Sequence, residues 1–474
     1  NEYIKSCFPI KFFEYLATGK PVIATRIPEL EKFGSIVKIA GSPSDFIRSC
    51  RELNASGSST QAEDRIQLAS ENTWGDRIDK LVTLINEKDN IEIKYPTADI
   101  MKEKKKVRIG IDARLMFYSR MGIGEYVENL IRILPELDKF NEYFIYFDNT
   151  PPNLDLPDNF HLRIIPMGIR QIWLQHKLPK QCMKDRISIL HSPVNFEMPL
   201  HGDFKKIVTI HDLVPIIYPE YASKKFSFLA RILYPKVVNA ADLILTDSVN
   251  SKRDIERIYS KSRRKVEAVY LGVRDEFTST TSSGSIELLK TRFGIEKKFI
   301  LNTGGFEPRK NVLNLIKAFN KFQSSEPDYI LVIVGKFSHT YNQAKLLVNE
   351  LGLSDKVVFT DYVSNEELIT LYNECDIFIY PSYYEGFGFP PLEAIASGKP
   401  VISSSGGSLK EILKDSALYI DPDDIDSIYQ ALKTLIPDLE LRNKLIANGK
   451  IIIKNYNWHE TVKITHEHYL KLAG

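Results

Sequence analysis

The sequence predicts an α/β protein built from two doubly wound parallel sheets that face a cleft, preceded by a partial α/β segment. Three observations carry this. From Val107 onward, strand-sized apolar runs alternate with segments of helical periodicity, a pattern that implies a parallel sheet covered by helices on both faces. A Ser/Thr-rich stretch without periodicity, DEFTSTTSSGS at 275–285, interrupts the alternation and reads as an exposed segment between domains. Finally, KFFEYLATGKPVIAT at 11–25 is echoed by PLEAIASGKPVISSS at 391–405, with Glu14, Ala17, Gly19, Lys20, Pro21, Val22 and Ile23 matching Glu393, Ala396, Gly398, Lys399, Pro400, Val401 and Ile402 at a constant offset.

The repeat extends further, because ENTWGDRIDKLVTLI at 71–85 parallels KNYNWHETVKITHEHYL at 454–470 and aligns Trp74 with Trp458. Two blocks in the same order mark a common ancestral segment. Residues 1–90 therefore read as the partial C-terminal half of an upstream domain. The lysine-rich stretch 91–106 is a linker, and the missing initiator Met at Asn1 fits a fragment.

In the intact part, 107–280 holds the apolar runs VRIGIDA (107–113), EYFIYF (142–147), ISILHSP (187–193), KIVTIHDL (206–213) and LILTDS (243–248), with helices after Gly124 and from about 223. The second unit, 281–455, holds KFILNTGG (298–305), YILVIVG (329–335), KVVFTDYV (356–363), IFIYPS (377–382) and PVISSS (400–405), with a helix from Asn311. Residues 456–474 form a closing helix that returns towards the first unit. Ligands of open α/β sheets bind beyond the carboxyl ends of the strands, so the loops after Gly304, Gly335, Val363 and Ser382 are expected to line one crevice.

Composition narrows the class. Sixty-three basic and 61 acidic residues leave a net charge of +2, which argues against nucleic acid as a partner. Cys7, Cys50, Cys182 and Cys375 have no metal-like or paired spacing, which fits a reducing, cytoplasmic setting. The longest apolar runs fall far short of the ~20 residues that span a bilayer.

The segment PSYYEGFGFPPLEAIASGKPV, 381–401, is the most informative. Glu385 and Glu393 are separated by seven residues, and the glycines and prolines between them suit a tight passage from strand end to helix start. Glu385 is expected in the loop and Glu393 in the opening turn, where free peptide N–H groups can bind an anion. Gly122 and Gly124 open another helix and allow close approach of a ligand to the backbone.

These residues resemble the E-x7-E signature of the retaining glycosyltransferases of family four, which have the GT-B fold of two Rossmann-like domains; the likeness covers about 107–474. It implies that Glu385 faces the transferred sugar together with the backbone of Gly386, Phe387, Gly388 and Phe389, and that Glu393 takes the nucleotide ribose. In NTGGFEPRKNVLNLIKAF, after Gly304 and Gly305, Arg309 and Lys310 would clamp the diphosphate. The family often has a further Arg where this chain has Gly304. Gly122 and Gly124 resemble the acceptor-side loop, and TIHDLVPIIYPE resembles a strand-end element that puts His211 near the reacting sugar, with Asp212 beside it.

The implied reaction is retaining transfer of a hexose from a nucleotide diphosphate sugar, without metal or other cofactor, to a glycan or lipid-linked acceptor. RQIWLQHKLPK and LHSPVNFEMPL resemble a mannosyltransferase branch that builds bacterial surface polysaccharides, which favours GDP-mannose. The alternatives are a GT-B nucleotide-sugar epimerase and a non-catalytic sugar-nucleotide-binding scaffold. Asp424 and Asp426 have the spacing of a metal pair but precede a helix, where capping is expected. The helix YASKKFSFLARILYPKVV, 221–238, is basic and aromatic; it reads either as a peripheral contact with an anionic membrane or as an ordinary amphipathic helix. PIKFFEYLATGKPVIAT resembles a different branch of the superfamily, implying that 1–90 is the remnant of a second transferase. Ser6 stands at the counterpart of Glu385.

Overall fold

The computed structural model describes residues 11–56, 61–70, 72, 106–116, 122–151, 153–262, 265–278, 286–338 and 340–474. They fall into two compact units, Asn1–Lys105 and Lys106–Gly474. The block at 71–85 apart from Asn72, the stretch 91–105, Ser6 and most of the Ser/Thr-rich run lie outside the described residues.

In the smaller unit, strands β1 (Ile23–Thr25) and β2 (Lys38–Ala40) pair in parallel. Phe12, Phe13, Leu16, Leu30 and Val37 form its core. Its elements repeat a stretch of the larger unit in order. The helix Phe12–Ala17 and β1 correspond to the helix Phe389–Ala396 and the strand Val401–Ser404, and the helix Pro43–Ser56 corresponds to the helix Ile425–Leu435. The turn chemistry is shared as well. Gly19 and Gly398 have φ of +68° and +70°, and donate to Leu16 O and Ile395 O, both at 2.9 Å. Glycine terminates both helices because the residue past the last turn is left-handed.

The larger unit holds two parallel sheets. The first contains β3 (Arg108–Asp112), β4 (Glu142–Phe147), β5 (Phe160–Ile164), β6 (Ile189–Ser192), β7 (Lys205–Thr209), β8 (Leu243–Thr246) and β9 (Val266–Ala268), in the order β5-β4-β3-β6-β7-β8-β9. The second contains β10 (Phe299–Thr303), β11 (Ile330–Val334), β12 (Val357–Thr360), β13 (Ile377–Tyr380), β14 (Val401–Ser404) and β15 (Ala417–Ile420), in the order β12-β11-β10-β13-β14-β15. Both orders reverse at the first strand, which is the doubly wound topology.

Alternate side chains of each strand face opposite layers. In β10, Ile300 enters the core beneath the helices Val312–Gln323 and Ile425–Leu435, whereas Phe299 and Leu301 enter a core shared with the first sheet and the helices Gly122–Leu137 and Trp458–Ala473. The last helix is tied to the first sheet by a buried bond of 2.6 Å between Tyr469 Oη and His191 Nδ1. Strands β5, β9 and β15 were not among the expected runs; each is a terminal strand or next to one, short and partly exposed, which weakens the apolar signal.

Candidate active site

Strand β13 ends at Tyr380, and the chain passes through Glu385 before the helix Phe389–Ala396. Glu385 is held there by a parallel bridge to Gly407. Its carboxylate is buried and fully engaged. Oε1 accepts from Lys310 Nζ at 2.8 Å, Tyr380 Oη at 2.9 Å and Ser382 Oγ at 2.6 Å, and Oε2 accepts from Arg309 Nη1 at 2.5 Å. Burial alone would raise its pKa, but the adjacent Arg309 and Lys310 charges and the hydrogen bonds outweigh it and bring the group down to about 2.

Arg309 and Lys310 come from the short turn Pro308–Lys310 after β10. Asn311 follows in the left-handed region, φ +60°, and its side chain is anchored on Pro422 O at 2.6 Å. Gly304 and Gly305 have φ of +113° and +80°. A Cβ on Gly335 would lie 2.3 Å from Gly305 Cα, so the tips of β10 and β11 approach more closely than any side chain allows. Lys310 sits 5.1 Å from the Tyr380 ring centroid, and burial and Arg309 lower its pKa against the pull of Glu385. Arg309 also donates to Glu307 at 2.8 Å.

Glu393 lies in the second turn of its helix rather than the opening one, because the helix starts at Phe389. It is buried, accepts from Tyr372 Oη at 2.9 Å and faces Arg274 Nη2 at 3.4 Å. Gly388, at φ +105°, supplies the left-handed N-cap, where a Cβ would press on Leu409 at 2.7 Å.

The first sheet meets this loop directly. A Cβ on Gly386 would lie 2.5 Å from His211 O and 2.9 Å from Asp212 Cβ. Gly386 O accepts from Ser248 Oγ at 2.8 Å. His211 is buried, with Nδ1 2.8 Å from Asp247 and Nε2 3.2 Å from Pro193 O. Burial lowers its pKa, but Asp247 and Pro193 O prevail and raise it. Both ring nitrogens are thus engaged, and what His211 presents to the Glu385 loop is its carbonyl. Glu411 closes the seam by accepting from Val249 N and Asn250 N, both at 2.8 Å, at the start of the helix Val249–Ile258.

Gly122 begins the helix Gly122–Leu137, three residues earlier than expected, and a Cβ there would meet the Phe389 ring at 3.2 Å. Phe387 packs edge-on against Phe389, which stacks on Trp458. Gly124, Glu125, Arg274, Glu276, Asn365 and Trp458 are among the residues lining a cavity of about 740 Å³.

The structure thus brings Gly304, Gly305, Arg309, Lys310, Glu385 and Gly386 together, with Glu393 one helical turn further on and Gly122 against Phe389. Sequence reading named Ser382 only as a strand end and did not single out Tyr380, Ser248, Arg274 or Glu411. Tyr380 and Ser382 flank the motif within five residues of Glu385, a signal that could have been used. The other three reach the site only through packing. Asp424 caps the helix Ile425–Leu435 by accepting from Asp426 N at 2.9 Å.

Residues 287–451 match the family described as "Glycosyl transferases group 1". The chain is 26% identical over 358 residues to an O-antigen chain mannosyltransferase B of Escherichia coli, covering 72% of this chain and 93% of that protein. It is 33% identical over 233 residues to the O-antigen chain mannosyltransferase RfbU of Salmonella typhimurium, covering 49% of this chain and 61% of that protein. Among solved structures, sucrose-phosphate synthase from Thermosynechococcus elongatus superposes with a TM-score of 0.63 at 18% identity, over 77% of this chain and 99% of that one. The larger unit has the GT-B fold, its residues 287–451 are similar to the glycosyl transferases group 1 family, and mannosyltransferases are among the proteins the chain resembles.

Proposed function

We propose that this chain transfers a hexose, with mannose favoured, from a nucleotide diphosphate sugar, with GDP-mannose favoured, to a glycan or lipid-linked acceptor during surface-polysaccharide synthesis. Transfer retains the anomeric configuration and uses no metal. The observation that carries this reading is the convergence of Arg309 and Lys310 on Glu385 at the carboxyl edge of a parallel sheet, where such folds bind ligands. A diphosphate would draw the two cations from Glu385, and its growing charge on departure would be stabilised by groups already in position. Glu385 would then face the sugar, the backbone of Gly386 to Phe389 would line it, and Glu393 would take the ribose. His211 would act through its carbonyl side and its bond to Asp247, holding the strand-end loop against Gly386. Mannose as the sugar is supported by the names of the relatives, which are O-antigen chain mannosyltransferases.

No helix among the described residues is long and apolar enough to cross a membrane. The helix Lys224–Ala240 exposes Phe226 and Phe228 beside Lys224 and Lys225, which supports a cytoplasmic protein resting on the inner face of the membrane, where a lipid-linked acceptor would lie. The test is nucleotide release from a panel of GDP- and UDP-sugars, with and without a lipid-linked saccharide, followed by NMR of the product. Acceptor-dependent release of GDP from GDP-mannose with an α-linked product is expected. Sugar interconversion without acceptor would identify an epimerase instead, and binding without turnover a scaffold.

A further inference from the structure

Arg274 lies on the connector between the two sheets, just before the short turn Asp275–Phe277, and touches both sides. Its Nη2 is 3.4 Å from Glu393 Oε1 in the second sheet's helix, and its Nε is 3.5 Å from Glu125 Oε1 in the helix Gly122–Leu137. All three side chains are at least about four-fifths buried. The guanidinium rests over the Phe277 ring at 4.6 Å, and Phe277 packs edge-on against Tyr372, whose hydroxyl bonds the other oxygen of Glu393. Arg274 Nε has no hydrogen-bond partner among the described residues. One cation is thus shared by two carboxylates from opposite sides of the cleft.

We infer that Arg274 is a positioning residue for donor binding: it holds the Glu393 carboxylate as the acceptor of the ribose hydroxyls of a nucleoside diphosphate, in competition with Glu125. This rests on the donor reading above. An ionised carboxylate accepts hydrogen bonds at both oxygens, whereas protonation turns one of them into a donor. Burial pushes Glu393 towards the protonated form, and Arg274 and the Tyr372 hydroxyl oppose this. The charged groups acting on Arg274 besides Glu393 include Glu125 and Glu276, with Glu128 acting on Glu125, and Asp275, Arg132 and His459 line the same cavity. Arg274 is the cation that acts on Glu393 itself. Because Arg274 also faces Glu125, ribose capture is tied to where the helix Gly122–Leu137 sits.

The test is calorimetric titration of GDP and of UDP into the full chain between pH 6.5 and 9, for wild type, Arg274→Met, Arg274→Lys and Glu125→Gln. Wild-type affinity for the preferred nucleotide should weaken only modestly, by less than about threefold, as Glu125 ionises across this range and draws on Arg274. Arg274→Met should bind at least tenfold more weakly at pH 6.5 and recover towards wild type by pH 9, whereas Arg274→Lys should stay within about threefold of wild type. Glu125→Gln, which leaves Arg274 to Glu393 alone, should bind at least as tightly as wild type. Wild-type affinity in Arg274→Met, a loss equal at every pH, or a tenfold loss in Glu125→Gln would each overturn the inference. If wild type binds neither nucleotide, the donor reading itself falls and takes this inference with it.

Discussion

The Glu385 carboxylate and the Lys310 ammonium lie 2.8 Å apart, each more than nine-tenths buried, with Arg309 on the opposite carboxylate oxygen. Removing one member of such a cluster leaves the others charged and dry, which costs more than the pair contributes net. Glu385→Gln is therefore expected to lower thermal stability by about 3 kcal/mol and to reduce sugar transfer at least a hundredfold. Nucleotide affinity should hold or rise, because Arg309 and Lys310 no longer have a competing carboxylate. Calorimetry on one sample reads both stability and binding; undiminished transfer would remove Glu385 from the reaction.

The same carboxylate gives a signed pH dependence. Its pKa falls from 4.5 to about 2 on folding, with burial opposed by Arg309 and Lys310. It therefore contributes stability above pH 4.5 that is lost as the pH drops through 2, about 3 kcal/mol in all. Wild type should lose stability between pH 5 and 2 more steeply than Glu385→Gln, as measured by urea unfolding at each pH.

Glu125 has the opposite sign. Burial, together with Glu393, Glu276 and Glu128, raises it to about 7 against Arg274. Its favourable contribution is complete below pH 4.5 and is lost as the pH rises through 7. Glu125→Gln should consequently be more stable than wild type at pH 8, by about 1–3 kcal/mol, and equal to it at pH 4. Equal melting temperatures at both pH values would refute this.

How much of this was legible beforehand depended on whether a residue's partner lay nearby in sequence. Glu385, Arg309 and Lys310 stood out because strand, glycine turn and helix start are each written in short runs, and the topology forces the ends of β10 and β13 to adjoin. The role of Arg274 was not visible, since its partners Glu125 and Glu393 are brought to it only by the packing of two sheets across a connector. The sequence places Glu393 in the opening turn, but the left-handed Gly388 starts the helix at Phe389 and so puts Glu393 one turn further in. For His211 the strand-end position was readable, but the pairing of its Nδ1 with Asp247 was not.

Gly386 is where the Glu385 loop meets the first sheet with no room for a side chain. Its φ is not positive, and an alanine would be tolerated by the local backbone. The obstacle is across the seam, where the new Cβ would stand 2.5 Å from His211 O. Gly386→Ala should thus leave the fold of each sheet intact while forcing the seam apart. The expected result is at least a tenfold fall in transfer with a circular dichroism spectrum like that of wild type. Full activity would mean that the contact opens freely during turnover.

Glu411 tests the other end of the seam. Its two carboxylate oxygens take the backbone N–H groups of Val249 and Asn250 at 2.8 Å each, donors that a helix start leaves unpaired and where negative charge is favoured. Glutamine at 411 would replace one acceptor with an N–H donor facing another N–H. The loss should be about 1–2 kcal/mol, felt by the closed arrangement rather than by either sheet. Small-angle scattering should then show a larger radius of gyration for Glu411→Gln than for wild type, and nucleotide should bind with little change because Arg309, Lys310 and Glu393 are untouched. An unchanged radius with unchanged melting would mean that Ser248 and Gly386, bonded at 2.8 Å, hold the seam without it.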